Sequence, residues 1–158
     1  MVEKPSRSNV RPKDLEWLAG ALKLNETLAD APALESLLDS LPAISLETWP
    51  AYQDILREGE DGADFFVIYS GELSVWRRGR RKESREVGRL VAGDFFGEIS
   101  GLMESPRSAT VRSESACRVF RFPAAEFYAV LERHHLLTRW VRQVACRRLE
   151  RLFRFADR

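Results

Sequence analysis

Hydrophobic residues along the chain keep a helical period near both ends and a period of two between them. Leu15, Leu18 and Leu22, with Trp17, mark a first helix whose N-cap the sequence places at Asp14. A second helical segment follows Pro32, with Leu34, Leu37, Leu38 and Leu41 on one stripe, and Pro42 ends it. From Ile44 short β-prone runs alternate with turn signals: 44–49, 54–57, 65–69, 72–77, 86–91, 108–113 and 118–122. Gly59, Gly62, Gly71, Gly88 and Gly93 punctuate them. A spacing of roughly 8–12 residues between such runs predicts an antiparallel barrel or jelly roll. One helical turn beginning near Gly97 interrupts it. Helical spacing returns after Pro123 in Phe127, Val130 and Leu131. It resumes from Leu136 through Trp140, Val141, Val144, Ala145, Leu149, Leu152 and Phe153. The polar opening, Met1 to Lys13, carries Pro5, Pro12, Ser6 and Ser8, and its start reads as disordered.

Composition narrows the class. With 158 residues there is room for one domain plus extensions, and 44% hydrophobic against 31% charged residues describes a soluble globular protein. A net charge of +1 makes no global case for nucleic acid or a membrane surface. No apolar run approaches the ~20 residues that cross a bilayer, and no signal-peptide core precedes Asn9, so the expected location is the cytoplasm. Cys117 and Cys146 have no metal-type spacing and read as buried, reduced thiols. His134 and His135 are adjacent, without a Cys or acid set at ligand spacing, so zinc is not expected. No nucleophile elbow or phosphate-cradling Walker loop is present, and Glu98 has no second carboxylate to make an acid–base pair. These features predict a binding module rather than an enzyme.

The most informative stretch runs from Phe96 to Thr110: Phe-Gly-Glu-Ile-Ser-Gly-Leu-Met-Glu-Ser-Pro-Arg-Ser-Ala-Thr. Glu98 opens a helical turn, and Arg107 follows nine positions later, after a proline. Small residues, Gly97, Ser100 and Gly101, lie between them. A ligand with both a sugar hydroxyl and a phosphate needs this combination. A carboxylate accepts the hydroxyl proton, while a guanidinium and free N–H groups hold the anion.

The string closely resembles the phosphate-binding cassette of the cyclic nucleotide-binding domain family, found in kinase regulatory subunits, catabolite activator proteins and nucleotide-gated channels. The stretch from Glu58 to Gly71 resembles the family's second signature, a turn, a core strand and another turn. Together they cover residues 32–155 and leave 1–31 as an N-terminal extension, with 32–158 as the binding domain. The resemblance implies a mainly β fold: an antiparallel β-roll, jelly-roll-like, a double-stranded β-helix, with an inserted phosphate-binding helix and C-terminal helices. It implies that Arg107 pairs with the cyclic phosphate, that Gly97 lets the ligand approach the backbone, and that Glu98 accepts the ribose 2′-OH. The amides of Ile99 and Ser100 face the anion. Ser108 meets a phosphate oxygen or a purine edge, and a hydroxyl there is associated in relatives with accepting guanine as well as adenine. Val87, Leu90, Val91 and Ala109 are the candidate apolar wall behind the base. Gly101 departs from the family pattern, standing where relatives carry a larger apolar residue, and Tyr52 occupies a turn place where glycine is common.

Eight arginines fall between Arg133 and Arg158. They form a solvated helix face, a ligand lid, or a surface for an acidic partner. As a lid, the resemblance offers Trp140, Arg147, Arg148, Phe153 and Phe155 as the residues that fold over the base. The resulting expectation is a stand-alone cytoplasmic sensor, without a DNA-binding domain, that takes cAMP or cGMP as ligand and needs no cofactor. It would signal by helix rearrangement around His134 and His135 to a protein effector or within a homodimer, with no membrane partner and nucleic acid not expected. The alternatives are a ligand-free scaffold on the same fold, or nucleic-acid binding through the arginine-rich helix.

Overall fold

The computed structural model describes residues 4–23 and 43–156. The leucine stripe at 34–41 lies outside the described residues. Among the described residues nine strands form two antiparallel sheets: β1 (Ser6–Asn9), β2 (Ser45–Trp49), β9 (Cys117–Phe122), β4 (Phe65–Ser70) and β7 (Phe95–Phe96) in one, in that spatial order. The other runs β3 (Asp54–Leu56), β8 (Thr110–Ser113), β5 (Glu72–Arg78) and β6 (Ser84–Val91). Helices α1 (Pro12–Ala21), α2 (Glu98–Met103), α3 (Ala124–Arg133) and α4 (His135–Ala156) complete the β-roll. The two sheets stay open, so of the two architectures predicted from strand spacing the roll is the one formed, not a closed barrel.

Alternation explains the central strand. In β4, Phe65 and Val67 face the helices while Phe66 and Ile68 face the second sheet, so all four are buried and the run reads as continuously hydrophobic. Phe65 stacks on Phe127 of α3 with ring centroids 4.1 Å apart, which seats α3 on the first sheet. Phe66 stacks on Phe96 of β7 at 4.8 Å, which places the strand leading into α2. Gly71 turns β4 into β5 with φ +98°, and a Cβ there would meet the Cys117 Cβ at 2.5 Å, so no other residue fits.

Three local expectations are corrected. Asp14 does not cap α1. Arg11 is the N-cap, Pro12 follows it, and the buried Asp14 carboxylate reaches back to the Arg11 backbone N–H at 3.0 Å. Burial opposes its ionisation, but the Arg11 side chain and backbone outweigh that and hold it below the usual carboxylate range. The N-terminal opening is ordered from Ser6, where β1 pairs with β2 and Arg7 Nε donates to the buried Glu47 carboxylate at 3.0 Å. Gly88 lies inside β6, at a bulge opposite Val75 and Trp76, not in a turn.

The two cysteines also part company: Cys117 is buried in β9, whereas Cys146 is exposed on α4. Burial pushes the Cys117 thiol up to about 11, so it stays protonated and unreactive well above neutral pH. A thiol reagent at pH 8 is therefore expected to titrate one cysteine quickly in the native protein and the second only on unfolding. Two fast thiols in the native state would contradict this packing.

Candidate functional site

Arg107 lies at the centre of the cassette. Its carbonyl accepts from Gly59 N–H at 2.9 Å, and its own N–H donates to the Glu60 carbonyl at 2.9 Å, tying the β8 approach to the β3–β4 loop. The residue is 6% exposed. Nη1 donates to Ser100 Oγ at 2.7 Å and to the Gly97 carbonyl at 3.1 Å, and Nη2 donates to the Asp64 carbonyl at 3.1 Å. All of these acceptors are neutral, and among the described residues no carboxylate makes an ion pair with Arg107. Desolvation lowers its pKa, with Asp64 and Glu98 at longer range opposing that effect and Arg121 adding to it. A buried cation held only by neutral oxygens favours an incoming anion.

Gly97 has a further reason to be glycine. It begins α2 in the left-handed region, φ +86°, and a Cβ would lie 2.6 Å from the Asp64 carbonyl. The constraint is packing within the protein itself. Gly101 sits under α3, where Tyr128 Oη donates to its carbonyl at 2.5 Å and a Cβ would meet the same hydroxyl at 3.7 Å. That is ordinary van der Waals contact, so the packing does not by itself require glycine there.

Glu98 is buried, 1% exposed, and has a cation against it. Arg148 of α4 donates through Nη1 to Glu98 Oε1 at 2.7 Å and to the Phe95 carbonyl at 2.7 Å, with its guanidinium over the Phe95 ring. The long helix is thereby clamped to the cassette. Around this clamp lies a cavity of about 90 Å³. Gly97, Glu98, Ile99, Ser100, Arg107, Ser108 and Ala109 line one side, and Val87 and Leu90 of β6 another. Arg148, Arg151 and Leu152 of α4 close over it. Ile99, Ala109, Ala145 and Leu152 form a small apolar cluster at this contact, joined by Val75, Val87 and Leu149.

Four sequence-proposed residues lie elsewhere. Val91 is 53% exposed, because strand alternation turns it away from the side that Leu90 occupies. Trp140 meets Phe95 edge-on at 5.1 Å with Lys23 over its ring, about two turns before the clamp on a 22-residue helix. Arg147 and Phe153 each neighbour a cavity residue but project about 100° around the helix, and Phe153 is 63% exposed. The side chain of Phe155 lies outside the described residues. Sequence reasoning missed Arg151, Leu152, Gly88, Leu56, Val75 and Val111 as lining residues. The helical period offered one usable signal, since Arg148, Arg151 and Leu152 share a face at i, i+3 and i+4.

The sequence profile of the cyclic nucleotide-binding domain matches residues 46–134. The chain belongs to this family. The mouse potassium/sodium hyperpolarization-activated cyclic nucleotide-gated channel 3 is 38% identical over 98 residues, 62% of this chain and 12% of the channel. The cAMP-dependent protein kinase regulatory subunit of Neurospora crassa is 34% identical over 89 residues, 56% of this chain and 22% of the subunit. The chain thus spans less than a quarter of either relative. Among solved structures, the regulatory domain of Toxoplasma gondii PKA with cAMP superposes with a TM-score of 0.71 at 23% identity, covering 84% of this chain and 48% of that one. A cyclic nucleotide-binding domain from Methylobacillus flagellatus gives 0.69 at 21% identity, covering 94% and 82%. Both share the fold. Among the described residues no helix is long and apolar enough to cross a membrane, and no cluster of His, Cys, Asp or Glu is placed to hold a metal ion.

Breaking the clamp tests its energetic role. Arg148→Ala leaves the Glu98 carboxylate buried without its cation, and is expected to lower unfolding free energy by about 1–3 kcal/mol. Adding Glu98→Gln to Arg148→Ala should recover part of that loss in urea melts. An unchanged midpoint in the single variant would show that the contact does not hold α4 down.

Proposed function

We propose that this chain is a cyclic-nucleotide sensor, with the cavity between cassette and α4 as the site for cAMP or cGMP. The observation that carries the reading is Arg107, a buried cation on the cavity wall whose guanidinium hydrogen-bonds, among the described residues, to neutral oxygens. A cyclic phosphate supplies the missing anion, with the first-turn amides of Ile99 and Ser100 beside it. Glu98 accepts the ribose 2′-OH, and Val87, Leu90 and Ala109 back the base. Relatives support the ligand class, one being solved with cAMP. A Trypanosoma cruzi kinase regulatory subunit, TM-score 0.64 at 23% identity over 79% of this chain and 47% of that one, is solved with guanosine. The phosphate is therefore the group on which the assignment turns.

Signalling follows from the clamp. The cavity, partly open to solvent, has a volume of about 90 Å³, below the ~300 Å³ at the lower end of small-molecule sites. A nucleotide that fills it therefore displaces α4 from its present position. A ribose hydroxyl on Glu98 competes with Arg148 for the same carboxylate, so ligand and helix position are linked. The break between α3 and α4 at His134, whose backbone is extended, is the hinge. Ligand shifts the helix population only by its differential affinity for the two positions. The output goes to a protein effector, or to a second copy of the chain, from residues 32–158, with 1–31 as an extension.

Three measurements test this reading. Arg107→Ala should weaken cyclic nucleotide binding about tenfold to a few hundredfold, the worth of one or two charge-assisted bonds, and should also lower the melting temperature, since the Gly97 and Asp64 carbonyls lose their buried donor. An unchanged Kd in calorimetry would remove the phosphate assignment. Glu98→Ala should erase most of the preference for a ribose over a 2′-deoxyribose ligand, and a wild type indifferent to the 2′-OH would give Glu98 to the clamp alone. Amide exchange along 140–153 should change when saturating nucleotide is added to the full chain; identical exchange in both states would make α4 static.

A further inference from the structure

The β5–β6 hairpin carries a concentration of charge that the cavity does not use. Between residues 78 and 85 the chain places Arg78, Arg80, Arg81, Lys82 and Arg85 against one acid, Glu83, although its net charge is only +1. The remainder of the chain is therefore net acidic, although α4 gathers a second set of arginines. All five cations are exposed. The pairing pattern shows where they stand. β5 pairs with β8 only from Leu73 to Trp76, whereas its pairing with β6 continues to Arg78 opposite Ser84. Past Trp76 the sheet narrows to a two-stranded ribbon, turned by Gly79 and by Lys82 at φ +64°.

Its root is fixed. Glu58 accepts from the Arg78 backbone N–H at 3.0 Å, and Arg77 Nη1 donates to the Ser108 carbonyl at 2.7 Å. Arg77 and Arg85 sit directly opposite each other in register. Each already faces an acid, Arg77 facing Glu58 at 3.9 Å and Arg85 facing Glu83 at 3.5 Å, so the tip beyond them carries the excess charge.

We propose that this tip is a docking surface for the phosphate backbone of double-stranded DNA, independent of the cyclic nucleotide reading. Three features select that occupant. Arginine outnumbers lysine four to one among the five cations, and its planar fork matches phosphate oxygens. A ribbon two strands wide fits the ~12 Å major groove of B-form DNA. The tip presents no large apolar side chain to insert into a bilayer, its uncharged members being Gly79 and Ser84. Recognition is of charge and shape, without base readout.

Fluorescence anisotropy with a short labelled DNA duplex tests the proposal, using the full chain. Contacts from Arg78, Arg80, Arg81 and Lys82 to four phosphates give a log–log salt slope near about −3.6, a loss of roughly 150-fold between about 50 and 200 mM salt. Arg80→Gln/Arg81→Gln should reduce the slope to about −1.8, and Arg80→Glu/Arg81→Glu/Lys82→Glu should abolish binding. Arg139→Ala/Arg142→Ala, on the outer face of α4, should bind as wild type does. The proposal is overturned if wild type ignores the duplex or if the hairpin variants bind unchanged. It is equally overturned if the loss follows the α4 variant instead, or if the chain sediments with phosphatidylglycerol vesicles while ignoring DNA.

Discussion

Arg107 is buried, and among the described residues no carboxylate makes an ion pair with it. The cassette is arranged around that fact. Ser100 and the carbonyls of Gly97 and Asp64 supply the acceptors a buried cation requires. To bring those carbonyls in, the chain must turn left-handed at Gly97, against the backbone of Asp64. Asp64 in turn ties the site to the body of the fold. Its carboxylate accepts from Arg121 Nε at 2.8 Å and from the Ala124 N–H at 3.2 Å, so the residue that holds Arg107 also holds the start of α3. Anion binding at Arg107 therefore acts on a residue shared by the cassette and the first of the C-terminal helices.

An ion pair sets the position of α4. Glu98 is deep enough that it needs a partner, and Arg148 reaches it from a helix whose apolar residues, Val141, Ala145 and Leu152, are buried against the roll. The apolar stripe alone would let α4 slide or lift at modest cost. The ion pair selects one position. Because the same carboxylate is the proposed ribose acceptor, the ligand and the lid contend for a single group, which links occupancy to helix position without long-range strain.

The sequence disclosed the roll because its signals were local: alternation in β4 and β9, glycine at 71, and the return of helical spacing after Pro123. It also drew the cassette residues 97–100 and 107–109 together, since all of them reach one cavity. What it did not disclose were matters of rotation and partner. Trp140 and Phe153 look like lid residues in a linear stripe, but one turns into the core and the other into solvent. Arg147 and Arg148 are equal lid candidates in the linear sequence, and only the ion pair with Glu98 distinguishes Arg148. β1 was invisible because its four residues are all polar and show no hydrophobic alternation, and Asp14 was misplaced because a capping box puts its acid inside the helix, not before it.

The account rests on the claim that the cavity answers a phosphate and not merely a nucleoside. Calorimetry on the wild-type chain with cAMP against adenosine, and cGMP against guanosine, measures that directly. The expected result is that the phosphate-bearing member of the preferred pair binds about tenfold to a few hundredfold more tightly, as charge-assisted bonds to a buried guanidinium require. Equal affinity within that pair, or tighter binding of the nucleoside, would contradict it.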